Sequence, residues 1–298
     1  MEEKKGFSKT DLWLLLAVII WGSDFFFAKI ALREVSPMNF AAMRTTISAI
    51  ILVPLFIKRE KNWLVSFKHF LCLVGLAFLG IFLTRVLMSV GLSLTTASNS
   101  ALIMATSPIF VLIASSLFLR SEVTLGPILG ILLSFLGVFL VIRGDWGRWS
   151  AATETFKGDI FMIAATISWA MFNTLVKRML KEHSSLKVTA YVMFIGMILL
   201  SPFLPNDKAG GWVGISGLTW VSILFVAVMG NCLSYFLWIR GIQNIGPLRT
   251  VLYQYLMPVT TIILAVPFLN ETLTVLQVLG AGVVFGGIFL ARYERRIV

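Results

Sequence analysis

The chain has 298 residues, of which 58% are hydrophobic and 13% charged, and its 25 Lys and Arg against 14 Asp and Glu give a formal net charge of +11. Mean hydropathy is +0.91. A soluble domain carries about 25% charged residues, so this balance excludes a water-soluble globule and makes lipid the main solvent. The basic residues sit in short clusters between apolar runs and form no stripe, which argues against a nucleic-acid partner and for loops retained on the cytoplasmic side.

In chain order, the N-terminal MEEKKGFSKTD is followed by a long apolar run with no small-residue cleavage site, which reads as a first span and not as a removed signal peptide. A bilayer-spanning helix needs about 17 to 25 mainly apolar residues. Spans are predicted near 11–32, 38–57, 70–92, 97–119, 124–143, 158–180, 186–205, 217–240, 248–269 and 274–291. The gaps around 144–157 and 206–216 are too short for a folded soluble domain, so function is expected within the membrane region. Cys72 and Cys232 both fall in apolar segments and suit neither a disulfide framework nor a metal site.

Lys and Arg set the orientation. With the N-terminus inside, the inner loops gain Lys4, Lys5, Lys9, Lys58, Arg59, Lys61, Lys68, Arg120, Lys177, Arg178, Lys181, Lys187, Arg240, Arg249, Arg292, Arg295 and Arg296, whereas the outer side keeps Arg33, Arg143, Arg148, Lys157 and Lys208. Both termini are therefore expected to be cytoplasmic.

The chain also matches itself. At an offset of 148, Asp11 meets Asp159, Trp21 meets Trp169, Lys29 meets Lys177, Ser36 meets Ser184 and Pro54 meets Pro202. At an offset of 150, Gly91 meets Gly241, Pro108 meets Pro258, Phe118-Leu119 meets Phe268-Leu269, Thr124 meets Thr274, Gly130 meets Gly280 and Gly137 meets Gly287. The expected fold class is an all-α membrane protein of ten transmembrane helices, organised as two five-helix repeats, 1–150 and 151–298. An odd number of spans per repeat makes the repeats inverted, a recurring construction of secondary transporters.

These residues carry a family resemblance across nearly the whole chain: Trp21-Gly22 with Lys29, then Arg44, Pro108 and Phe118-Leu119 with Glu122. In the second half the run goes from Ser234-Tyr235 and Trp238 through Gly241, Pro258 and Leu269-Asn270-Glu271 to Gly280. The sequence resembles the drug/metabolite transporter superfamily, in its ten-helix branch of paired EamA domains. The resemblance implies export of amino acids or related metabolites. Arg120-Ser121-Glu122, one residue longer than Asn270-Glu271, and Arg85, where an apolar or aromatic residue is expected, depart from the pattern.

Charges within spans mark candidate site residues, because a charge at a helix centre costs about 2.5 to 3.5 kcal/mol and needs a partner or a watery cavity. Arg44 and Arg85 lie deep enough to hold a carboxylate or phosphate, with a tie between Arg44 and Asp24 as the alternative. Asp24, on the face of Trp21, is a candidate proton carrier or amine ligand, or one side of a permanent ion pair. Lys29 falls at an outer helix end, where positive charge is not expected. Polar and aromatic stripes at helical spacing add Asn231, Ser234, Tyr235 and Trp238, then Thr166, Trp169 and Asn173, then Thr250, Gln254 and Thr261, and Asn99 with Thr106. Such stripes either line a cavity or join helices. Pro108 and Pro258 are expected to bend their helices; Gly126 with Gly130 and Gly282 with Gly286 are expected to pack helices closely, within one chain or between two.

The favoured expectation is a secondary transporter of the plasma (bacterial inner) membrane exporting a small molecule, since three buried bases against one acid suit an anionic or zwitterionic cargo. A GxxxxGK[ST] loop is absent from the sequence, and no cofactor or metal is expected. Efflux of cationic drugs, or a lipid-modifying membrane enzyme, are the alternatives; against an enzyme, His69 and His183 both fall at loops and no HExxH occurs. The partners expected are the substrate and the bilayer, with a monomer or a homodimer both open.

Overall fold

The computed structural model describes residues 8–119, 154–204 and 214–293, with isolated positions between 129 and 140. Apart from those positions the predicted span 124–143 lies outside the described residues, as do Arg120, Glu122, Gly126, Arg143, Arg148 and Lys208. Among the described residues there is no strand, and eight helices are long and apolar enough to cross a membrane. They are α1 (Lys9–Ala31), α2 (Pro37–Arg59), α3 (Phe67–Leu94), α4 (Ala97–Phe118), α5 (Thr155–Met179), α6 (Ser185–Phe203), α7 (Gly217–Ile245) and α8 (Pro247–Leu269). A further helix, α9 (Val275–Tyr293), occupies the last predicted span.

The helices begin where the sequence supplies caps. Ser36 and Ser184 cap α2 and α6, and Ser66 and Ser216 cap α3 and α7, each hydroxyl accepting a backbone N–H of the first turn. Each pair is related by the repeat offset. Outward faces carry Leu12, Leu16 and Ile19 on α1 and Ile263 and Phe268 on α8, all more than two-fifths exposed. Such a surface is unfavourable in water and suits acyl chains.

Contacts between the halves come in reciprocal pairs. Helix α1 packs on α7 and α8, as its counterpart α5 packs on α3 and α4; α2 packs on α7 as α6 packs on α3; and α2 meets α6 directly. The reciprocity extends to single residues. Gly91 is pressed against Met162, and Gly241 against Leu14, and both members of each comparison are repeat mates.

Two departures from continuous α-helix recur in both halves. Helices α3 and α7 widen into π-helix over Phe78–Leu83 and Val226–Ser234. The carbonyls that such turns release must be satisfied within the protein when no water is at hand. That of Leu79 accepts from Thr84 and Ser168 at 2.7 and 2.9 Å. Those of Ala227 and Gly230 accept from Ser48 and Trp21, each at 2.9 Å. Helices α4 and α8 deviate just before Pro108 and Pro258, by a turn at Ala105–Thr106 and by a 3₁₀ segment Leu252–Leu256, because the proline ring excludes the carbonyl four residues earlier.

Helix α7 runs five residues beyond the predicted 217–240. Its polar end is held by other loops: Gln243 donates to the carbonyls of Leu180 and His183, and Asn244 to Thr10. Outside the spans, Glu34 accepts the Ser216 N–H at 2.8 Å, which holds its carboxyl below the usual range.

Candidate functional site

A small cavity lies where the two halves meet, lined by Trp21, Asp24 and Phe25 of α1, Thr84, Arg85 and Met88 of α3, Met104 of α4, Trp169 of α5, and Gln254 and Met257 of α8. In this conformation it has room for about one water molecule. Two pairs of lining residues, Trp21 with Trp169 and Met104 with Gln254, are repeat mates. The second pair sits four residues before Pro108 and Pro258, at the break each proline makes.

The ion chemistry is lopsided. Arg44, 1% exposed, donates through Nη2 to Asp24 at 2.9 Å and to the side-chain oxygen of Asn231 at 3.0 Å. Arg44 thus ties helices α1, α2 and α7 together, and it is not among the residues that line the cavity. Arg85 is 5% exposed, and its Nη1 has only the weak acceptor Met88 Sδ at 3.9 Å. Its Nε and Nη2 have no partner, although the guanidinium stands 5.8 Å from the centre of the Tyr235 ring. Nε and Nη2 form the edge whose parallel N–H groups match the two oxygens of a carboxylate.

Asp24 and Arg85 share the cavity wall, but of the two arginines only Arg44 is in ion-pair contact with the carboxylate. Trp169 Nε1, Asn231 Nδ2, Tyr235 OH and Ser234 Oγ are also buried without a partner. Asp24 Oδ1 and Arg44 Nε are unpartnered as well; buried polar groups normally find partners, and among these donors outnumber acceptors.

The aromatic wall is rigidly set. Trp21 donates to the Gly230 carbonyl and stands edge-on to Trp169 at 5.6 Å and tilted to Trp238 at 4.9 Å. Asn173 fixes the latter pair by donating to the Trp169 carbonyl at 2.7 Å and accepting from Trp238 Nε1 at 2.6 Å. Gln254 accepts from the Ser107 hydroxyl.

Of the residues expected from sequence, Trp21, Asp24, Arg85, Trp169 and Gln254 line the cavity, and Arg44, Asn173, Asn231, Tyr235 and Trp238 pack around it. Lys29 and Asn99 are placed elsewhere, at one end of the bundle. Lys29 Nζ donates to the carbonyls of Leu92 and Thr95 at 2.7 and 2.5 Å and reaches that of Ser93 at 3.4 Å, where a cation complements the end of α3. Asn99 donates to Asp159 at 3.5 Å and accepts from Gln277 at 2.6 Å. The same turn is capped by Glu271, which takes the N–H groups of Ala97 and Ser98 at 2.7 and 3.0 Å.

Sequence reasoning missed Phe25, Thr84, Met88, Met104 and Met257. Two signals were present: Met88 follows Arg85 by three residues on one helical face, and Met104 is the repeat mate of Gln254. It also left Asp159 unassigned, though the buried carboxylate accepts from Thr95 at 2.6 Å.

Comparison with known proteins places this geometry. The model of the EamA-like transporter family matches twice, over residues 8–143 and 156–293. The chain belongs to the EamA-like transporter family. It is therefore a multi-pass membrane transporter. Among relatives of this family, an uncharacterized transporter of Archaeoglobus fulgidus is 29% identical over 95% of this chain and 97% of its own. The uncharacterized transporter YyaM of Bacillus subtilis is 31% identical over 96% of this chain and 94% of its own. A probable amino-acid metabolite efflux pump of Salmonella typhimurium is 23% identical over 100% of this chain and 97% of its own. A crystal structure superposes with a TM-score of 0.74 over 98% of this chain and 99% of that one, at 16% identity, which speaks to the fold alone.

Proposed function

We propose that this EamA-family protein is a secondary transporter of the plasma membrane that exports a small anionic or zwitterionic carboxylate, such as an amino acid, by alternating access. The observation that carries the reading is the unpartnered Nε and Nη2 edge of Arg85 on the cavity wall. A buried cation with free donors is costly in a membrane unless a guest supplies the acceptors. Aromatic and methionine side chains around it accommodate an apolar part. The amino-acid metabolite named for the Salmonella relative agrees with such a cargo.

Reciprocal contacts of α1 with α7 and α8, and of α5 with α3 and α4, support two exchangeable halves around one site. Together with the uneven distribution of Lys and Arg, they support ten spans as two inverted repeats with both termini cytoplasmic. Cationic drug efflux is disfavoured, because Asp24 is already held by Arg44.

The test is flux of labelled amino acids and oxo acids in proteoliposomes, for the wild type and Arg85→Gln. Carboxylate flux is expected in the wild type and a loss of at least about tenfold in the variant, since a charge-assisted pair is worth about 1.5 to 3 kcal/mol. Equal flux in the two proteins removes Arg85 from the site, and flux of organic cations alone overturns the substrate class.

A further inference from the structure

We propose that the transporter is an exchanger of small monocarboxylate anions, carrying one across in each direction and returning empty only slowly. The inference rests on the carboxylate reading above and adds to it the charge of the cargo and the way in which the cycle is closed.

The argument is the charge of the site in its two conditions. Asp24 is engaged by Arg44 at 2.9 Å, so that pair is neutral as a unit. Among the described residues, Arg85 has no carboxylate of its own, and Asp24 is the one acidic residue that lines the cavity. Among the described residues, the second half places Trp169, Gln254 and Met257 on the cavity wall and no acidic residue to balance it. The repeat mates of Asp24, Arg44 and Arg85 are Phe172, Val192 and Tyr235, and that of Asn231 is Ile81. The charged arm of the site has an uncharged mirror image, so the centre keeps one net positive charge.

Every passage between the two faces of the membrane goes through a state closed at both ends, in which a cavity with room for about one water molecule cannot replace the hydration of the Arg85 guanidinium. With a carboxylate on its Nε and Nη2 edge the centre is neutral, and its donors are filled. Without one, an uncompensated cation is buried, at a cost of about 2.5 to 3.5 kcal/mol or more. Passage of the empty carrier is then slower than that of the loaded one by a factor on the order of 100.

The same count selects an anion over a zwitterion. A zwitterion leaves the net charge in place, and the acceptor nearest to hand for its ammonium, the unpartnered Asp24 Oδ1, is packed on Gly230 and belongs to a carboxylate already shared with Arg44.

Purified protein in proteoliposomes tests this with two compounds of nearly one shape, labelled leucine and its oxo acid α-ketoisocaproate. Uptake is measured into vesicles that are empty or preloaded with the same unlabelled compound. The oxo acid is expected to enter preloaded vesicles at least about tenfold faster than empty ones, with leucine slower under both conditions. In Arg85→Gln the exchange should fall at least about tenfold, and the residual flux should no longer depend on preloading. Equal entry of the oxo acid into empty and preloaded vesicles overturns exchange while leaving carboxylate transport standing. Leucine exchanging as fast as the oxo acid overturns the monoanion assignment. Absence of any carboxylate flux, in protein that is monodisperse and unfolds cooperatively, overturns the proposed function and this inference with it.

Discussion

The carboxylate of Asp24 lies against the bare Cα of Gly230, and at the matching place in the other half the ring of Phe172 lies against Gly80. Residues 24 and 172 are repeat mates, and so are 230 and 80, so one contact is made twice with different chemistry. Where the first half presents an acid held by Arg44, the second presents a phenyl ring stacked on Trp169 at 5.4 Å. Duplication gave the protein two similar arms, and divergence made only one of them charged.

Replacement of either glycine by alanine therefore separates the two arms. A Cβ on Gly230 collides with the Asp24 carboxylate, and one on Gly80 collides with the Phe172 ring; overpacking of this kind costs about 1 to 3 kcal/mol. Both variants should unfold at lower temperature. Gly230→Ala should in addition lower carboxylate flux severalfold beyond its effect on yield, because it displaces the partner of Arg44. Thermal unfolding in detergent and flux per folded molecule check this, and equal flux losses in both variants would remove the functional asymmetry.

Much of the scaffold was legible in the sequence, because lipid imposes simple rules. Apolar runs of sufficient length give the helices, and Pro108 with Pro258 mark the breaks; the starts at Ser36, Ser66, Ser184 and Ser216 emerge from the structure. The π-helical turns of α3 and α7 were not legible, since neither Phe78–Leu83 nor Val226–Ser234 carries a proline or another residue that marks a wider turn; in the structure they pack against α1, α2, α5 and α6. At the site, intramembrane charge pointed to Asp24, Arg44 and Arg85 but could not divide them. Which arginine is paired depends on the rotation of three helices about one another. Lys29 and Asn99 drew attention by being polar within spans, yet the groups that satisfy them are backbone carbonyls and Asp159, which composition does not reveal.

The pairing of Arg44 with Asp24 predicts strong coupling. Asp24→Asn alone leaves a buried guanidinium without its anion, and Arg44→Gln alone leaves a buried carboxylate; each is expected to cost about 3 to 5 kcal/mol. The double variant should be more stable than the sum of these losses allows, because neither member of the pair is left behind as a charge without its partner. A double-mutant cycle on thermal or denaturant unfolding measures the coupling. Additive losses would mean that the two groups do not depend on each other.

Lys29 should matter for stability and little for substrate affinity. Lys29→Met removes the donor to the carbonyls of Leu92 and Thr95 at the end of α3, and leaving such groups unpaired costs about 1 to 3 kcal/mol each. The expected result is a clear fall in unfolding temperature with KM for a transported carboxylate nearly unchanged. A large rise in KM with unchanged stability would instead place Lys29 at the substrate.

Stability should also depend on pH through the loop between α5 and α6. His183 Nε2 lies 3.0 Å from Nδ1 of His69, and its basicity is lowered by burial first, then by the charges of Lys187 and His69. A lowered folded-state value means that the unfolded chain binds the proton more readily. The stabilisation is therefore complete above the ordinary histidine pKa of about 6.5 and is lost as the pH falls below it. The imidazole is only partly buried and remains in contact with solvent, so the change is small, under about 1 kcal/mol. Unfolding temperature should decline on acidification through that window, and His183→Gln should flatten the decline, since the loop then has no group that gains a proton on unfolding at that position. An unfolding temperature of the wild type that is constant through the window, or a decline that persists unaltered in His183→Gln, would place the pH-sensitive group elsewhere.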